Sequence, residues 1–163
     1  MKVSAQEEYG LRCILQLAKR QAGGNPAPLT LAEIAREEGL TVPNVAKMIR
    51  TLRRAGLVKS VLGRGGGYTL SRAAAGISVA EILTALGGKL YDVDYCQEHS
   101  GALKTCSHMV DCSIRSLWGV LEDLLEKVLS RTMLSELVCS EQCMTATLGR
   151  RSPAPVLRAG ESR

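Results

Sequence analysis

The sequence predicts a mainly α fold with a small β-wing, that is, a winged helix-turn-helix followed by a long C-terminal dimerisation helix. Three patterns favour it: two short helices separated by a glycine turn, a glycine-rich segment between two β-type runs, and a later apolar heptad. We expect residues 1–72 to form a DNA-binding domain and residues 73–145 to form a cysteine-bearing loop and the dimerisation helix. Residues 146–163 are expected to be a disordered basic tail.

The charge distribution supports this division. Residues 1–72 carry 12 Lys or Arg against 5 acidic residues, whereas residues 73–145 carry 5 against 10. A basic front half joined to an acidic second half is typical of a module that binds a polyanion. An unevenly charged solvated surface is the alternative that charge alone leaves open.

The helix-turn-helix is predicted from a helix start signal and a glycine turn. After a first helix from about Ser4 to Gln21, Thr30 and Glu33 form a capping-box pattern, which begins a helix that ends near residue 37. Gly39 offers a left-handed turn before the next helix. The apolar face of this next helix, the second of the helix-turn-helix, consists of Val42, Val45, Ile49 and Leu52. An ordinary helical hairpin is the alternative for these two helices alone.

A basic hairpin is predicted directly after the second helix. Residues 57–62 and 68–70 are β-type runs, and the segment between them reads Gly63-Arg64-Gly65-Gly66-Gly67. Glycine supplies the positive φ angles of a hairpin turn and lets backbone N–H groups approach a phosphate closely. The segment lacks the lysine of a nucleotide-binding P-loop and opens no helix, so we interpret it as a wing.

Groove geometry predicts how these elements bind DNA. The helix from Thr41 to Ala55 is expected to enter the major groove, with Asn44 and Lys47 nearest the base edges. The other basic residues are expected to contact phosphate, and Arg64 to enter a narrow minor groove. The predicted DNA-contact residues are Thr41, Pro43, Asn44, Lys47, Arg50, Arg53, Arg54, Lys59, Arg64, Gly65 and Tyr68.

The second half begins with another capping-box pattern, Ser78 with Glu81, which predicts a short helix. Periodicity stops from about Leu90 to Asp111 and then resumes as a heptad seam. The seam residues are Ile114, Leu117, Leu121, Leu124 and Val128. Because operator half-sites favour two-fold proteins, we predict a homodimer through this helix, with packing inside the monomer as the alternative.

The segment between these helices is rich in side chains that can bind a metal ion or undergo redox reactions. Cys96, Cys106 and Cys112, with His99 and His108, fall within 17 residues. The N-terminus has no signal-peptide pattern, so we expect a cytoplasmic protein, in which such a segment indicates a metal centre or a redox switch. Thiolates favour an iron–sulfur cluster, zinc or copper(I), and the spacing does not match a zinc finger.

The remaining cysteines and other functions carry less weight. Cys13 lies beside the apolar stripe of the first helix and is expected to be buried. Cys139 and Cys143 are four apart, which fits packing on one helix face or, alternatively, redox activity.

No apolar run approaches the roughly 20 residues of a membrane span. We expect no enzyme, because a cysteine nucleophile would need an ordered Cys/His/acid set.

The order of these features resembles the Rrf2 family of winged-helix regulators, of the IscR/NsrR/RirA type. The Gly-Gly-Gly-Tyr wing combined with Trp118 in the dimer helix is specific to that family, and the resemblance covers about residues 1–140. The segments that carry it are Met1-Lys2-Val3-Ser4, Leu31-Ala32-Glu33-Ile34-Ala35, Leu52-Arg53-Arg54-Ala55-Gly56-Leu57-Val58-Lys59-Ser60-Val61 and Gly65-Gly66-Gly67-Tyr68-Thr69-Leu70.

The resemblance implies a dimer that binds double-stranded operator DNA and, as in several members, an iron–sulfur cluster of the 2Fe–2S or 4Fe–4S type. Three cysteines ahead of the dimer helix hold the cluster in those members, and Cys96, Cys106 and Cys112 occupy these places. In those members the first and second cysteines are usually closer in sequence than Cys96 and Cys106 are here. On the DNA-reading elements, a glutamate of one subgroup is replaced by Ala46, and a common wing arginine is replaced by Leu62.

The fourth ligand varies within the family. One subgroup uses a histidine at a position that is Arg115 here, and another uses an acid in the first helix of the opposite subunit, where this chain has Glu8. Glu8 is therefore the expected fourth ligand, with His99 and His108 as alternatives. A cluster-free regulator of the same fold, which responds through thiols, zinc or a small molecule, is the competing hypothesis.

Overall fold

The computed structural model describes residues 3–24, 27–89, 91, 95–100, 102, 105–108 and 110–151. Its helices are α1 (Ala5–Ala22), α2 (Leu31–Glu38), α3 (Val42–Arg54), α4 (Val79–Gly87), α5 (Tyr95–Glu98), α6 (Ser113–Leu129) and α7 (Glu141–Arg151). Two strands, β1 (Val58–Val61) and β2 (Gly67–Leu70), form an antiparallel sheet. These elements confirm the predicted mainly α fold with a small β-wing.

Both predicted capping boxes are present. Thr30 Oγ1 accepts from the Glu33 N–H at 3.2 Å, and the Glu33 carboxylate accepts from the Thr30 N–H at 2.8 Å. Ser78 and Glu81 make the same pair of bonds at the start of α4, and α1 begins similarly at Ser4. Such boxes satisfy N–H groups that a helix leaves without partners, so local sequence is enough to place these starts.

The start of α3 differs from the prediction in two details. Thr41 precedes the helix in an extended conformation, but its side chain makes no capping hydrogen bond. Val42, predicted on the apolar face, is 44% exposed, whereas Met48 is buried with Val45. The buried stripe follows the i, i+3, i+4 pattern only from the second turn, because the first turn projects beyond the core.

The wing is joined to the rest of the domain through Leu29. Backbone hydrogen bonds run from the Leu29 N–H to the Tyr68 carbonyl and from the Tyr68 N–H to the Leu29 carbonyl, at 3.0 and 2.8 Å. A Cβ at Gly67 would lie 2.5 Å from the Leu29 carbonyl oxygen, so this close approach requires glycine. The hairpin is thereby fixed against the segment that leads into α2.

A single hydrophobic core underlies α1, α3 and α4, and it includes residues on both sides of residue 72. Its largest fully buried side chains are Ile14, Ile34, Ile49, Leu52, Ile77, Ile82 and Leu134. Leu134 comes from the chain that follows α6, and its N–H donates to the Ile77 carbonyl at 2.8 Å. The far end of α6 is therefore anchored to the core beneath α1, α3 and α4. Within the described ranges, no helix is long and apolar enough to cross a bilayer.

The second half contains two short elements that periodicity did not predict. One turn of helix, α5, interrupts the segment expected to be irregular. Helix α7 reaches Arg151, so the tail predicted to be disordered from residue 146 begins inside a helix. Residues 152–163 lie outside the described part of the chain.

Burial of Cys13 gives a chemical prediction. Its side chain is inaccessible, and burial, with a smaller effect of the nearby Glu38 charge, raises the pKa of the thiol to about 12. Since the thiolate is the reactive form, Cys13 should stay unmodified by iodoacetamide at pH 8 in the native protein. Peptide mass mapping should find label on the exposed Cys139 and Cys143. Labelling of Cys13 at a comparable rate would contradict the packing described.

Candidate nucleic-acid interface and cysteine loop

Helix α3 separates its residues into a buried side and an exposed side. Val45, Met48, Ile49 and Leu52 face the core. All the residues of α3 that we predict to contact DNA are exposed, as are Lys59, Arg64 and Gly65 of the wing, whereas Tyr68 is half-buried. The helix therefore displays a polar and cationic surface directly after the glycine turn, as a recognition helix requires.

Within the described part of the chain, the cations of this surface form no ion pairs. The described ion pairs use arginines elsewhere in the domain: Arg12 with Glu38, Arg20 with Glu33, Arg36 with Glu37, and Arg72 with Glu81. The cations of α3 and the wing that take part in no ion pair with another described residue are Lys47, Arg50, Arg53, Arg54, Lys59 and Arg64. Their charge is available to a polyanion.

The tip of the wing is a tight glycine turn that presents Arg64. Gly63 and Gly65 have φ values of 107° and 84°, which side-chain-bearing residues rarely adopt. The Gly66 N–H donates to the Gly63 carbonyl at 2.9 Å and closes the turn. Arg64 lies exposed between these glycines, where its side chain points away from the core.

The cysteine loop, residues 96–112, places its thiols at different structural positions. Cys96 lies in α5, Cys106 in irregular chain, and Cys112 at the N-terminus of α6, where its Sγ accepts from the Arg115 N–H at 3.4 Å. All three are half-buried free thiols. In the part of the chain that the structure describes, no three Cys, His, Asp or Glu side chains are gathered closely enough to hold a metal ion.

Tyr91 contacts the first cysteine of the loop. Its hydroxyl oxygen lies 3.5 Å from Cys96 Sγ. This hydrogen bond is the main cause that raises the pKa of Tyr91. Cys96 is therefore held beside an aromatic residue that precedes it by five positions.

The three proposed fourth ligands occupy separate places. His99 stacks on the Tyr95 ring at a centroid distance of 4.0 Å, and its Nδ1 lies 3.0 Å from the Tyr95 carbonyl oxygen. His108 is exposed, and its carbonyl accepts from Arg115 at 3.4 Å. Glu8 lies in the first turns of α1, on the wall of a cavity between α1, α4 and α6.

That cavity, of about 370 Å³, lies between α1, α4 and the C-terminal half of α6. Its apolar walls include Leu11, Leu125 and Leu129, and its acidic ones include Glu8 and Glu122. Glu122 also accepts from the Tyr91 N–H at 3.3 Å. The cavity thus adjoins the residue that contacts Cys96.

Helix α6 is apolar, but the described residues of its own chain leave much of it exposed. None of its 17 residues is buried. Large apolar side chains on it remain exposed: Ile114, Leu117, Trp118, Val120, Leu124 and Val128. Packing inside the monomer, the alternative considered for the heptad seam, does not account for this surface.

Sequence reasoning missed Tyr91 and Glu122, and it missed the pairing of Leu29 with the wing. Each of these contacts is distant in sequence: Tyr91 with Glu122 across 31 positions, and Leu29 with the wing across 39. Tyr91 precedes Cys96 by five residues, and an aromatic side chain near a cysteine is too common to indicate a contact by itself. No periodic or capping signal would have found these contacts.

A known protein family matches most of this chain. The family described as Rrf2, iron-dependent transcriptional regulator, matches residues 3–140. The chain is 32% identical to protein rrf2 of Nitratidesulfovibrio vulgaris over 138 residues, which cover 85% of this chain and 87% of that protein.

Two solved structures are also similar. IscR of T. potens has a TM-score of 0.65 and 32% identity, covering 85% of this chain and 86% of its own. CymR (YrzC), the global cysteine regulator of B. subtilis, has a TM-score of 0.66 and 30% identity, covering 85% and 96%. The resemblance inferred from the wing and the dimer helix is confirmed: the chain belongs to the Rrf2 family of transcriptional regulators.

Proposed function

We propose that this regulator binds two-fold-symmetric operator DNA as a homodimer, and that an iron–sulfur cluster held by Cys96, Cys106 and Cys112 controls that binding. Helix α3 reads the major groove, the wing contacts the flanking minor groove, and α6 forms the dimer interface. The observation that carries the DNA-binding part is the set of unpaired cations on α3 and the wing. Each neutralised phosphate releases counterions, which drives association.

The exposed apolar side of α6 supports the dimer. Leu117 and Leu124 are seven residues apart and therefore lie on one face, and they are 55% and 51% exposed. A continuous apolar helix face of this kind is stable in water only when it is covered. A second copy supplies a matching heptad seam, and the resulting two-fold axis matches two half-sites on the duplex.

The chemistry of the three loop thiols fits an iron–sulfur cluster. Thiolates are soft ligands that iron–sulfur clusters require, and these three are free and half-buried, outside any disulfide. Tyr91 contacts Cys96, and the Arg115 N–H donates to the Cys112 sulfur. Such a cluster supplies one-electron redox chemistry and reactivity toward small oxidants. Glu8 of the opposite subunit is the proposed fourth ligand, with His99 and His108 as alternatives.

Helix α6 connects the sensor to the reader. Its first residues are capped by the Cys112 sulfur, and the chain after its last residue packs Leu134 into the core beneath α3 and α4. A change in what Cys112 binds therefore acts on a helix whose other end is fixed to the DNA-binding domain. This gives a physical route from cluster occupancy to the orientation of two α3 helices in a dimer.

A cluster-free regulator that senses through thiols is the second candidate. Two observations favour it: no three ligating side chains are gathered in the described residues, and CymR is among the similar structures. The two candidates differ in a direct chemical measurement. Protein purified anaerobically and reconstituted with iron and sulfide holds stoichiometric amounts of both under the first hypothesis, and neither under the second.

The DNA-binding part is tested separately by salt titration. The logarithm of the association constant for duplex DNA should fall linearly with the logarithm of salt concentration. Arg53→Ala removes one phosphate-contacting cation from each protomer and should reduce the magnitude of that slope by about 1 for each protomer bound. A response to salt that is flat for the wild-type protein would contradict phosphate binding by this surface.

Arg64→Ala should weaken binding mainly at operators with AT-rich flanks, by about tenfold. The narrow minor groove of such flanks concentrates negative potential that attracts an inserted arginine. Titration of operators that differ only in their flanks measures the effect, and Leu62→Ala, on the same exposed wing, is the matched control. Equal affinity of Arg64→Ala and wild type for all flanks would refute this role.

A further inference from the structure

Tyr91 lies at the junction of the cysteine loop and α6. Its backbone N–H donates to the Glu122 carboxylate of α6 at 3.3 Å, and its hydroxyl oxygen lies 3.5 Å from Cys96 Sγ. The ring of Tyr95 packs beside it at a centroid distance of 5.5 Å. One half-buried residue therefore contacts the first cysteine through its side chain and the dimer helix through its backbone.

We propose that Tyr91 is a positioning residue whose hydroxyl donates a hydrogen bond to the Cys96 sulfur and thereby sets how firmly the loop retains its cluster. This inference rests on the proposed function, because it assigns a role to Tyr91 only when Cys96 is a cluster ligand. The role of Tyr91 extends the proposed function, because Tyr91 lies outside the ligand set and controls the stability and the reduction potential of the cluster.

The direction of the hydrogen bond follows from the state of the sulfur. In the cluster-free protein either the hydroxyl or the thiol can be the donor. A thiolate ligand has no proton, so Tyr91 is then the donor of the pair. Hydrogen bonds to ligand sulfurs reduce their negative charge, which favours the reduced cluster and raises its reduction potential.

The two ends of the loop are held in a similar way by α6. Cys112 Sγ accepts directly from the Arg115 N–H at 3.4 Å, whereas Cys96 is reached through Tyr91, whose N–H is held by Glu122. Arg115 and Glu122 are two turns apart on the same helix, so both contacts depend on one rigid element. Loss of the Tyr91 hydroxyl should release Cys96 while Cys112 keeps its donor.

Tyr91→Phe tests this role, because it keeps the ring and removes only the hydroxyl. Reconstituted under argon, this variant should take up iron and sulfide as the wild type does, but lose the cluster to a chelator about tenfold faster. Its reduction potential should be lower than that of the wild type. In resonance Raman spectra, the shift of Fe–S(Cys) bands on transfer to deuterated water should be smaller. Tyr68→Phe, in the wing, is the matched control for all three cluster measurements.

The possible results separate the inference from the function on which it rests. A wild-type protein that takes up no iron and sulfide overturns both. A wild type that holds a cluster, together with a Tyr91→Phe variant of unchanged potential, loss rate and deuterium shift, overturns the role of Tyr91 alone. Faster loss with unchanged potential and unchanged deuterium shift would assign Tyr91 to packing only and would also refute the hydrogen bond.

Discussion

Cys112→Ser is expected to lower the iron and sulfide content of the reconstituted protein roughly tenfold or more. Changes around a metal ligand already cost ten- to a hundredfold in affinity, and the loss of a ligand costs at least as much. Serine is also a preferred helix N-cap, so α6 should still begin at residue 113. The loss would then report the missing thiolate and not an unwound helix.

Absorption spectroscopy with iron and sulfide analysis measures this effect, and circular dichroism checks that the helix content is unchanged. Cys139→Ser is the matched control, because Cys139 is an exposed free thiol beyond α6. It should retain wild-type cluster content. Wild-type cluster content in Cys112→Ser would remove this cysteine from the ligand set and contradict the proposed three-cysteine site.

Leu124→Arg, combined with Leu117→Arg, is expected to convert the dimer into a monomer. Two charges would enter the centre of an apolar interface, where they have no partner. Because a dimer engages two half-sites at high effective concentration, affinity for a two-fold operator should fall by about 10² to 10⁴. The added positive charge would by itself strengthen DNA binding, so a loss cannot come from charge.

Sedimentation and operator titration on the same samples measure both quantities. Asp123→Arg places arginine on the same helix, beside Leu124 but outside the heptad seam, and should remain dimeric. A double variant that stays dimeric would show that α6 is not the interface. A monomeric variant with undiminished operator affinity would contradict the need for two half-sites.

Local sequence predicted the helix starts and the wing well, for a physical reason. The boxes at Thr30 and Ser78 depend on residues three positions apart, and the left-handed Gly39, with φ of 63°, depends on one residue. These features need no information about distant contacts. The exposure of Val42 and the return of Leu134 to the core depend on where other helices lie, so periodicity did not predict them.

The sequence predicted which residues form the candidate site but not how those residues contact one another. The sequence shows three thiols, Cys96, Cys106 and Cys112, in one segment, whereas the contact of Cys96 with Tyr91 depends on how an irregular segment folds back on α6. Cys139 and Cys143 show the same limit. They would share one face if the last helix continued that far, but α6 ends at Leu129 and α7 begins after Cys139. A hydrogen bond with Cys143 nevertheless raises the pKa of Cys139.

The central claim is that α3 and the wing of a two-fold dimer read operator DNA. Selection of bound duplexes from a random-sequence library by the purified wild-type protein tests it most directly, because no operator needs to be known in advance. The account predicts enrichment of a sequence with two half-sites related by two-fold symmetry, and loss of that enrichment in Asn44→Ala and Lys47→Ala, the variants of the residues expected nearest the base edges. Retention of all sequences in proportion to the input library would contradict it.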